Sequence, residues 1–420
     1  MSLVKPFRGL RPTPELAEQV ASLPYDVMDS EEARQITSQN PHSFLRVTKS
    51  EVDLAPGIDG HAPEVYAKAR ENLQQFIKDK VLIQDAQPCF YVYKQTMGQH
   101  VQIGLVAAAS VAEYQQNIIK KHELTRPDKE QDRINHIVAT EAQTGAVFLT
   151  YRANETVNAL INQCLDTQPV YDFITDDGIG HTLYIIDNAA MIGAIQEAFE
   201  SIKCLYIADG HHRSAAAGRV HDMCRQGNKD HTGDEEYNTF QAVIFPHDMM
   251  YIMDYNRVVQ DLNGLSPKQF LAAVGEKFEV VETGDCFKPE HLHTFGMYLK
   301  DQWYTLTARA GTFSTDNPVS RLDVSILQKN LLDPLLNISN PRTDKRINFV
   351  GGIRGMKELE RLVDSGKYAV AFSLFATSIE ELMDIADADE IMPPKSTWFE
   401  PKLRDAMVVH LVPCAEYLVK

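Results

Sequence analysis

The residues most suited to chemistry form the run DGHHR, Asp209–Arg213, directly after the apolar segment Leu205–Ala208. An apolar run that meets Asp-Gly predicts a strand, a tight turn and then a helix, because glycine adopts backbone conformations that other residues avoid. A helix start offers unpaired N–H groups and the positive end of the helix dipole, which together bind anions. Two histidines and an arginine add donors there, and a guanidinium matches phosphate oxygens. The run therefore predicts a phosphate-binding turn, with Asp209 placed to hold Mg²⁺ on the phosphates.

Two other interpretations of this run remain open at the level of the sequence. In the first, Asp209 only caps the helix and the histidines cover a surface. In the second, a hydrolytic metal is held by His211, His212, His221 and Asp222. Neighbouring residues on a helix point about 100° apart, so joint binding of one ion by two adjacent histidines is awkward.

A second charged run, Lys120–Thr125 (KKHELT), precedes the first in the chain. Its adjacent His122 and Glu123 could supply a phosphate donor and a general base. The run is not the HExxH motif of zinc proteases, because Arg126 stands where the second histidine would be. The alternative interpretation is a solvated, charged turn.

Two weaker candidates lie near the ends of the chain. Tyr25 and Asp26 follow Pro24 at a predicted exposed turn. In the loop Met392–Pro401, the sequence Lys395-Ser396-Thr397 offers donors that suit phosphate.

The elements that position these residues mix helices and hairpins. The main predictions concern a helix over Ser30–Ser38 capped by Ser30, a helix over Ala62–Asp79, a hairpin of Pro88–Gln95 with Val101–Ala109, the strand Lys203–Ala208 followed by the helix His211–Arg225, a second hairpin of Thr239–Phe245 with Met250–Tyr255, a helix over Val324–Asn337 and a final strand over Ala406–Val412. This mixture predicts an α/β (mixed α+β) fold with a mixed sheet. A turn at Asn263-Gly264 predicts two domains, residues 1–262 with the phosphate site and residues 263–420.

Composition narrows the function classes. The chain has 420 residues with 41 Lys and Arg against 58 Asp and Glu, a formal charge of −17. Such a surface repels phosphate backbones, which excludes a general nucleic-acid binder and favours a small-molecule site. The longest apolar stretches have strand length, so we expect no membrane span and no secretory signal. Six widely spaced cysteines without a CxxC pair favour the reducing cytoplasm.

Several segments resemble a bacterial and archaeal family of unknown function, number 1015. The resemblance is carried by Pro6–Pro12, Leu23–Val27, Lys121–Thr125, Asp132-Arg133, Ala208–Arg213, Tyr255–Val259 and Met392–Lys402. The DGHHR run is also similar to the phosphate motif of the ParB/sulfiredoxin superfamily, whose free-serine kinases carry a catalytic glutamate earlier in the chain. The resemblance implies a ParB/sulfiredoxin-like core, with Glu123 as that glutamate. Insertions that include Glu155–Asp187 would explain the long separation of Glu123 from Asp209.

These observations lead to one hypothesis for the site. We expect a kinase that transfers a phosphoryl group from ATP or ADP, with Mg²⁺, to the hydroxyl of free L-serine or a similar metabolite. The catalytic residues would be Glu123, Asp209, His211, His212 and Arg213, with Gly210, His122 and Lys121 also binding phosphate or nucleotide. Substrate would contact Tyr25, Asp26, Arg8 or Arg11, Lys395, Ser396 and Thr397. A homodimer is possible. The alternatives are a non-catalytic nucleotide-binding regulator of the ParB type and a metal-dependent phosphohydrolase.

Overall fold

The structure is a computed structural model that describes residues 3–414 and 416–418. The chain divides into two units. The first runs to Met250 and includes the chain again from Pro401 onwards, and the second is Tyr251–Glu400. This division differs from the domains expected from sequence, which placed the boundary after Leu262 and gave the whole C-terminal part to the second domain. The reason is that the chain end pairs with early segments: Val409 exchanges backbone hydrogen bonds with Leu10, and Asp405 with Ser22.

The strands of the first unit up to Met250 are β1 (Val4–Lys5), β2 (Leu10–Pro12), β3 (Leu82–Gln84), β4 (Phe90–Met97), β5 (His100–Ser110), β6 (Ile119–Lys120), β7 (Ala142–Gln143), β8 (Val147–Tyr151), β9 (Tyr171–Ile174), β10 (Ile179–Ile186), β11 (Leu205–Asp209) and β12 (Thr239–Pro246). Among the described residues, nine strands form one mixed sheet in the order β6-β11-β8-β12-β5-β4-β10-β9, with β1 paired to β5. The mixed α/β fold expected from sequence is confirmed.

The helices of the first unit are α1 (Ala17–Val20), α2 (Ser30–Gln39), α3 (Leu45–Thr48), α4 (Pro63–Lys78), α5 (Val111–Gln115), α6 (Pro127–Thr140), α7 (Glu155–Gln163), α8 (Ala189–Glu200) and α9 (His211–Gly227). Short 3-10 turns lie at Pro14–Leu16, Ser50–Asp53, Cys164–Asp166, Glu236–Asn238 and His247–Met249. The residue before α2 differs from the prediction: Asp29 caps it, because its side chain accepts from the backbone N–H groups of Glu31 and Glu32.

The central strands are apolar on both faces, as expected for strands covered on both sides by other elements. Leu149, Ile207, Ile244 and Phe199 are fully buried in one core cluster. A second cluster joins α6 to α9 through Ile134, Ile137 and Val220 among others. The helix that opens at the DGHHR run is thus fixed to the sheet before it and to α6 beside it.

The second unit contains β13 (Tyr251–Met253), β14 (Tyr255–Val259), β15 (Phe278–Thr283), β16 (Thr294–Leu299), β17 (Gln302–Ala308), β18 (Ile347–Gly351), β19 (Val370–Leu374) and β20 (Trp398–Glu400), with helices α10 (Pro267–Lys277), α11 (Asp323–Leu327), α12 (Met356–Asp364) and α13 (Ile379–Asp387) and a 3-10 turn at Gly352–Arg354. Its main sheet has the order β15-β17-β16-β19-β14-β18. The helix predicted over Val324–Asn337 is wrong in its second half, where Gln328–Leu332 is π-helical.

Two strand predictions are also wrong. The second hairpin does not form: β12 lies between β5 and β8, whereas β13 pairs with β20. The predicted final strand shrinks to β21 (His410–Leu411), which pairs with β7. In both places partners far away in the sequence replace the local partners that a periodic pattern suggests.

Residues 401–414, which we name the return segment, are tied to the first unit by side chains. Gln95 donates to the Lys402 carbonyl oxygen at 2.9 Å, and Gln241 donates to the Val408 carbonyl oxygen at 2.5 Å. Arg404 donates to Asp177 and contacts the buried ring of His181. These contacts fix the position of the charged side chains that this segment carries.

All six cysteines are thiols in this structure. Within the described part of the chain, no helix has the length and apolar character needed to cross a membrane.

Acid should unfold the protein partly through His136, which is 5% exposed and whose Nε2 bonds the Val47 carbonyl oxygen. Burial lowers the pKa of His136 from 6.5 to about 4. The unfolded chain therefore binds this proton first, so the stabilisation is present above pH 6.5 and is lost as pH falls towards 4. Between pH 7.5 and 4.5, we expect the wild type to lose roughly 2 to 3 kcal/mol more unfolding free energy than His136→Gln. Urea titrations at both pH values measure this, and equal losses would contradict it.

Candidate functional site

The site lies where two neighbouring strands end. β6 and β11 are parallel, with Leu205 opposite Ile119 and Tyr206 opposite Lys120. Parallel neighbours end at the same edge of a sheet, and loops at that edge form ligand sites in open α/β sheets. The loop after β6 carries Glu123, and β11 ends at Asp209. The fold therefore brings together the two runs that are far apart in the sequence.

Glycine is required at the turn itself. Gly210 has a φ of +102°, a conformation that side chains rarely adopt. A Cβ there would also lie 3.3 Å from the Cα of Val147 and 3.2 Å from the Nε of Arg213. α9 then begins at His211, and the Ser214 N–H bonds the Gly210 carbonyl oxygen at 3.0 Å. The predicted strand, turn and helix are confirmed.

A pocket of about 50 Å³, which we name the phosphate pocket after the ligand that the sequence predicts for it, opens at this turn. Its lining residues are Tyr25, Asp26, Glu123, Asp209, Gly210, His211, His212 and Arg213. Most of the residues predicted for the site from sequence thus line one pocket. It combines a helix N-terminus, an arginine and three carboxylates.

The two histidines of the DGHHR run hold the loop that carries Glu123. The backbone N–H of His122 donates to Nε2 of His211 at 3.4 Å, and the backbone N–H of Arg126 donates to Nε2 of His212 at 3.0 Å. A backbone N–H can only donate, so both Nε2 atoms are acceptors and each neutral ring carries its proton on Nδ1. The loop is thus fastened to α9 on both sides of Glu123.

Both rings are neutral at pH 7. Burial, with His122 as the next cause, lowers the pKa of His211 well below 6.5. Burial and then Arg126 lower the pKa of His212. The positive charge near the pocket therefore comes from other groups.

Two positively charged side chains lie beside the carboxylate of Asp209. Its carboxylate lies 3.3 Å from the Lys402 ammonium and 3.7 Å from the Arg213 guanidinium, and its side chain is 34% exposed. Burial alone would raise the pKa of Asp209, but Lys402 and then Arg213 outweigh it and hold that pKa well below its usual range. Asp209 is therefore ionised, and two cations stand next to the helix N-terminus.

Two residues predicted to bind phosphate lie elsewhere. His122 is 2% exposed, and its ring meets His211 edge-on with centroids 4.4 Å apart. Burial lowers the pKa of His122 to about 4. The Lys121 ammonium lies 4.1 Å from the ring centroid of Tyr114. Neither side chain lines the phosphate pocket.

The other residues that were predicted to contact substrate do not line the phosphate pocket. Arg8 is exposed and donates to the Asp85 carbonyl oxygen, while Arg11 forms an ion pair with the Asp85 carboxylate at 2.9 Å. Neither arginine lines the phosphate pocket. The run Lys395–Thr397 belongs to the second unit, where the Ser396 hydroxyl donates to the Pro393 carbonyl oxygen at 2.7 Å.

Sequence reasoning gave no role to Lys402 or Asp405 of the return segment. Lys402 ends the last run that carries the family resemblance, and this was the signal that could have found it. Nothing in the local pattern around Asp405 indicates that it faces Arg213.

The proposed metal ligands do not come together. Within residues 3–414 and 416–418, no three His, Cys, Asp or Glu side chains form a group that could hold a metal ion. His221 instead pairs with Asp222, its neighbour in the sequence, at 3.0 Å. This arrangement gives no support to the phosphohydrolase alternative.

A family described as a protein of unknown function (DUF1015) matches residues 4–325. The chain belongs to this family. No curated protein matches the chain.

Three solved structures illustrate the wider similarities of this DUF1015 protein. A free serine kinase in complex with AMP is 14% identical, with 75% of this chain and 93% of that chain covered and a TM-score of 0.38. A conserved hypothetical protein from Pyrococcus furiosus is 13% identical, with 73% and 95% covered and a TM-score of 0.36. SbnI with a C-terminal truncation, from Staphylococcus aureus, is 10% identical, with 72% and 87% covered and a TM-score of 0.36.

The histidine contacts give a direct test. In His212→Ala the Arg126 N–H loses its acceptor, so we expect its hydrogen exchange to speed up by about 5-fold, since a net hydrogen bond is worth about 1 kcal/mol. His212→Gln, which restores a side-chain acceptor, should recover part of the protection. Exchange measured by NMR or mass spectrometry over the loop after β6 reads this out. Unchanged exchange in His212→Ala would show that the ring does not hold the loop.

Proposed function

We propose that the first unit is a phosphotransferase, which moves a phosphoryl group from a nucleotide to the hydroxyl of a small metabolite such as free L-serine. The observation that carries the proposal is the presence of Glu123 in the same pocket as the N-terminus of α9. One group can take a proton from a hydroxyl, and the other binds phosphate. The proposal rests on this site rather than on the similarities to solved structures.

The phosphate would be held at the start of α9. Backbone N–H groups of the first helical turn point out of the helix end, and the Arg213 guanidinium lies beside them. The histidine rings keep their Nδ1–H atoms as neutral donors. Lys402 and Arg213 would offset the charge on the equatorial oxygens during transfer.

Glu123 would act on the acceptor. Its carboxylate lines the pocket on the loop that His211 and His212 hold, so its position relative to the phosphate is fixed before substrate arrives. The acceptor oxygen forms a new bond to phosphorus as the bond from phosphorus to the nucleotide oxygen breaks. The hydroxyl proton passes to Glu123, and the leaving nucleotide, ADP from ATP or AMP from ADP, keeps the bonding electrons. Tyr25 and Asp26 would border the acceptor.

Magnesium enters the proposal as an ion carried by the nucleotide phosphates, where it would offset their charge. Mg²⁺ commonly uses one or two carboxylates together with substrate phosphates and waters. Asp209 is the carboxylate that fits this role, at the end of β11. Lys402 and Arg213 occupy its oxygens in the structure, so they would have to share it with the ion.

Replacing the proposed base gives the decisive test. In Glu123→Gln we expect phosphorylated product from ATP or ADP with L-serine to form at least about 100-fold more slowly, because general base catalysis contributes roughly 10²- to 10⁴-fold. Nucleotide affinity, measured by calorimetry, should stay within about threefold since the phosphate contacts remain. The matched control Glu155→Gln changes an exposed glutamate on α7 and should leave turnover unchanged.

Full turnover in Glu123→Gln would show that Glu123 is not the base. A wild-type protein that binds nucleotide but phosphorylates no amino acid or hydroxy acid in a screen would refute the kinase. That second result would instead favour the nucleotide-binding regulator, which would use the same helix N-terminus without Glu123 as a base.

A further inference from the structure

A second cavity, which we name the inner cavity, has two lining residues in common with the phosphate pocket. Its lining includes Tyr25 and Arg213, which also line the phosphate pocket, together with the four residues Arg133, Gly145, Gln241 and Asp405. Its volume is about 30 Å³. That is room for about two water-sized groups, since one water needs roughly 10–15 Å³ on this measure. The inner cavity can therefore hold the end of a small molecule whose other end lies in the phosphate pocket.

Two residues that line the inner cavity each carry a buried oxygen atom with no hydrogen-bond partner among the described residues. These atoms are Oδ2 of Asp405 and Oε1 of Gln241, and each residue is 3% exposed. The orientation of the Gln241 amide is fixed, because its Nε2 donates to the Val408 carbonyl oxygen at 2.5 Å. Its Oε1 is therefore an acceptor without a donor. Buried acceptors are rarely left unpaired, so we expect the inner cavity to bind a ligand group with several N–H or O–H donors.

The two arginines that line the inner cavity already form contacts with other residues. Arg133 donates to Asp132 at 3.0 and 2.6 Å and lies 3.8 Å from the ring centroid of Tyr25. Arg213 donates to the Ala146 carbonyl oxygen and faces Asp209. In the described chain no lysine, arginine or histidine nitrogen lies within ion-pair distance of Asp405. Burial raises the pKa of Asp405 to about 8, against the opposing effect of Arg213.

We propose that the inner cavity binds the ammonium group of an amino-acid acceptor, with the Asp405 carboxylate and the Gln241 amide oxygen as its acceptors. An ammonium has the size of a water molecule and supplies three N–H donors. Its positive charge next to Asp405 would favour the ionised carboxylate over the protonated form that burial favours in the empty cavity. The inference rests on the proposed function for the hydroxyl end, which would extend past Tyr25 and Arg213 towards Glu123. It adds that the protein selects hydroxy amino acids over hydroxy acids of the same shape.

Binding of matched pairs of probes tests this without turnover. We would titrate the full chain, with AMP present because AMP cannot donate a phosphoryl group in the proposed reaction, by calorimetry with L-serine and L-glycerate, and with L-threonine and its 2-hydroxy counterpart. L-glycerate keeps the carboxylate and the hydroxyl of L-serine but replaces the ammonium with a second hydroxyl. We expect the wild type to bind at least one amino acid about 10- to 100-fold more tightly than its counterpart, the range of one charge-assisted hydrogen bond.

Two variants test whether the preference for the amino acid depends on the inner cavity. Asp405→Asn keeps the shape of the side chain and removes the charge. Gly145→Ala adds a Cβ 2.9 Å from Oδ1 of Asp405 and narrows the inner cavity. Both should reduce the preference for the amino acid to about threefold or less while AMP affinity is retained. Asp172→Asn, at an exposed position on β9, is the matched control and should keep the full preference.

Equal affinities for both members of each pair in the wild type would overturn the proposal, and so would the absence of binding by all four probes, which would mean that water alone fills the inner cavity. A preference that survives in both Asp405→Asn and Gly145→Ala would also overturn it. Selective binding of L-serine without any phosphorylated product would support the ammonium site and refute the kinase, so the two failures can be told apart.

Discussion

The structure of the site depends on two hydrogen bonds that fasten one loop to one helix. The N–H groups of His122 and Arg126 reach the Nε2 atoms of His211 and His212, and Glu123 lies between them. These bonds require neutral rings, and burial of the histidines supplies that condition by lowering their pKa values. The histidines, whose pattern suggested direct phosphate binding, therefore also position the acid. Gly210, Arg213 and the N-terminus of α9 line the same pocket as Glu123.

The charge of the site comes from a distant part of the chain. Lys402 pairs with Asp209, and Asp405 contributes a buried carboxyl to the inner cavity. Both stand on the return segment, which Gln95, Arg404 and Gln241 hold in place. A formal charge of −17 describes the whole chain. Near α9 the cations Arg213 and Lys402 stand among three carboxylates, so the local charge is closer to balance than the charge of the whole chain.

The sequence predicted what local chemistry determines. An apolar run followed by Asp-Gly indicated the turn at Gly210, and helical spacing indicated α4 and α9. The sequence did not predict contacts between segments that are far apart in the chain. The hairpin expected from β12 to β13 failed because β8 and β20 are better partners than nearby strands. The role of Lys402 depends on a strand end almost two hundred residues earlier in the chain, which no local pattern contains.

The return segment also has a consequence for the order of synthesis. The ribosome makes the elements around α9 first, then the whole second unit, and only afterwards the residues that carry Lys402 and Asp405. A chain synthesised only as far as Glu400 contains the residues of the helix N-terminus and Glu123 but lacks Lys402, one of the two cations beside Asp209. The surroundings of Asp209 and of the inner cavity are thus complete only once residues 401–405 have left the ribosomal exit tunnel.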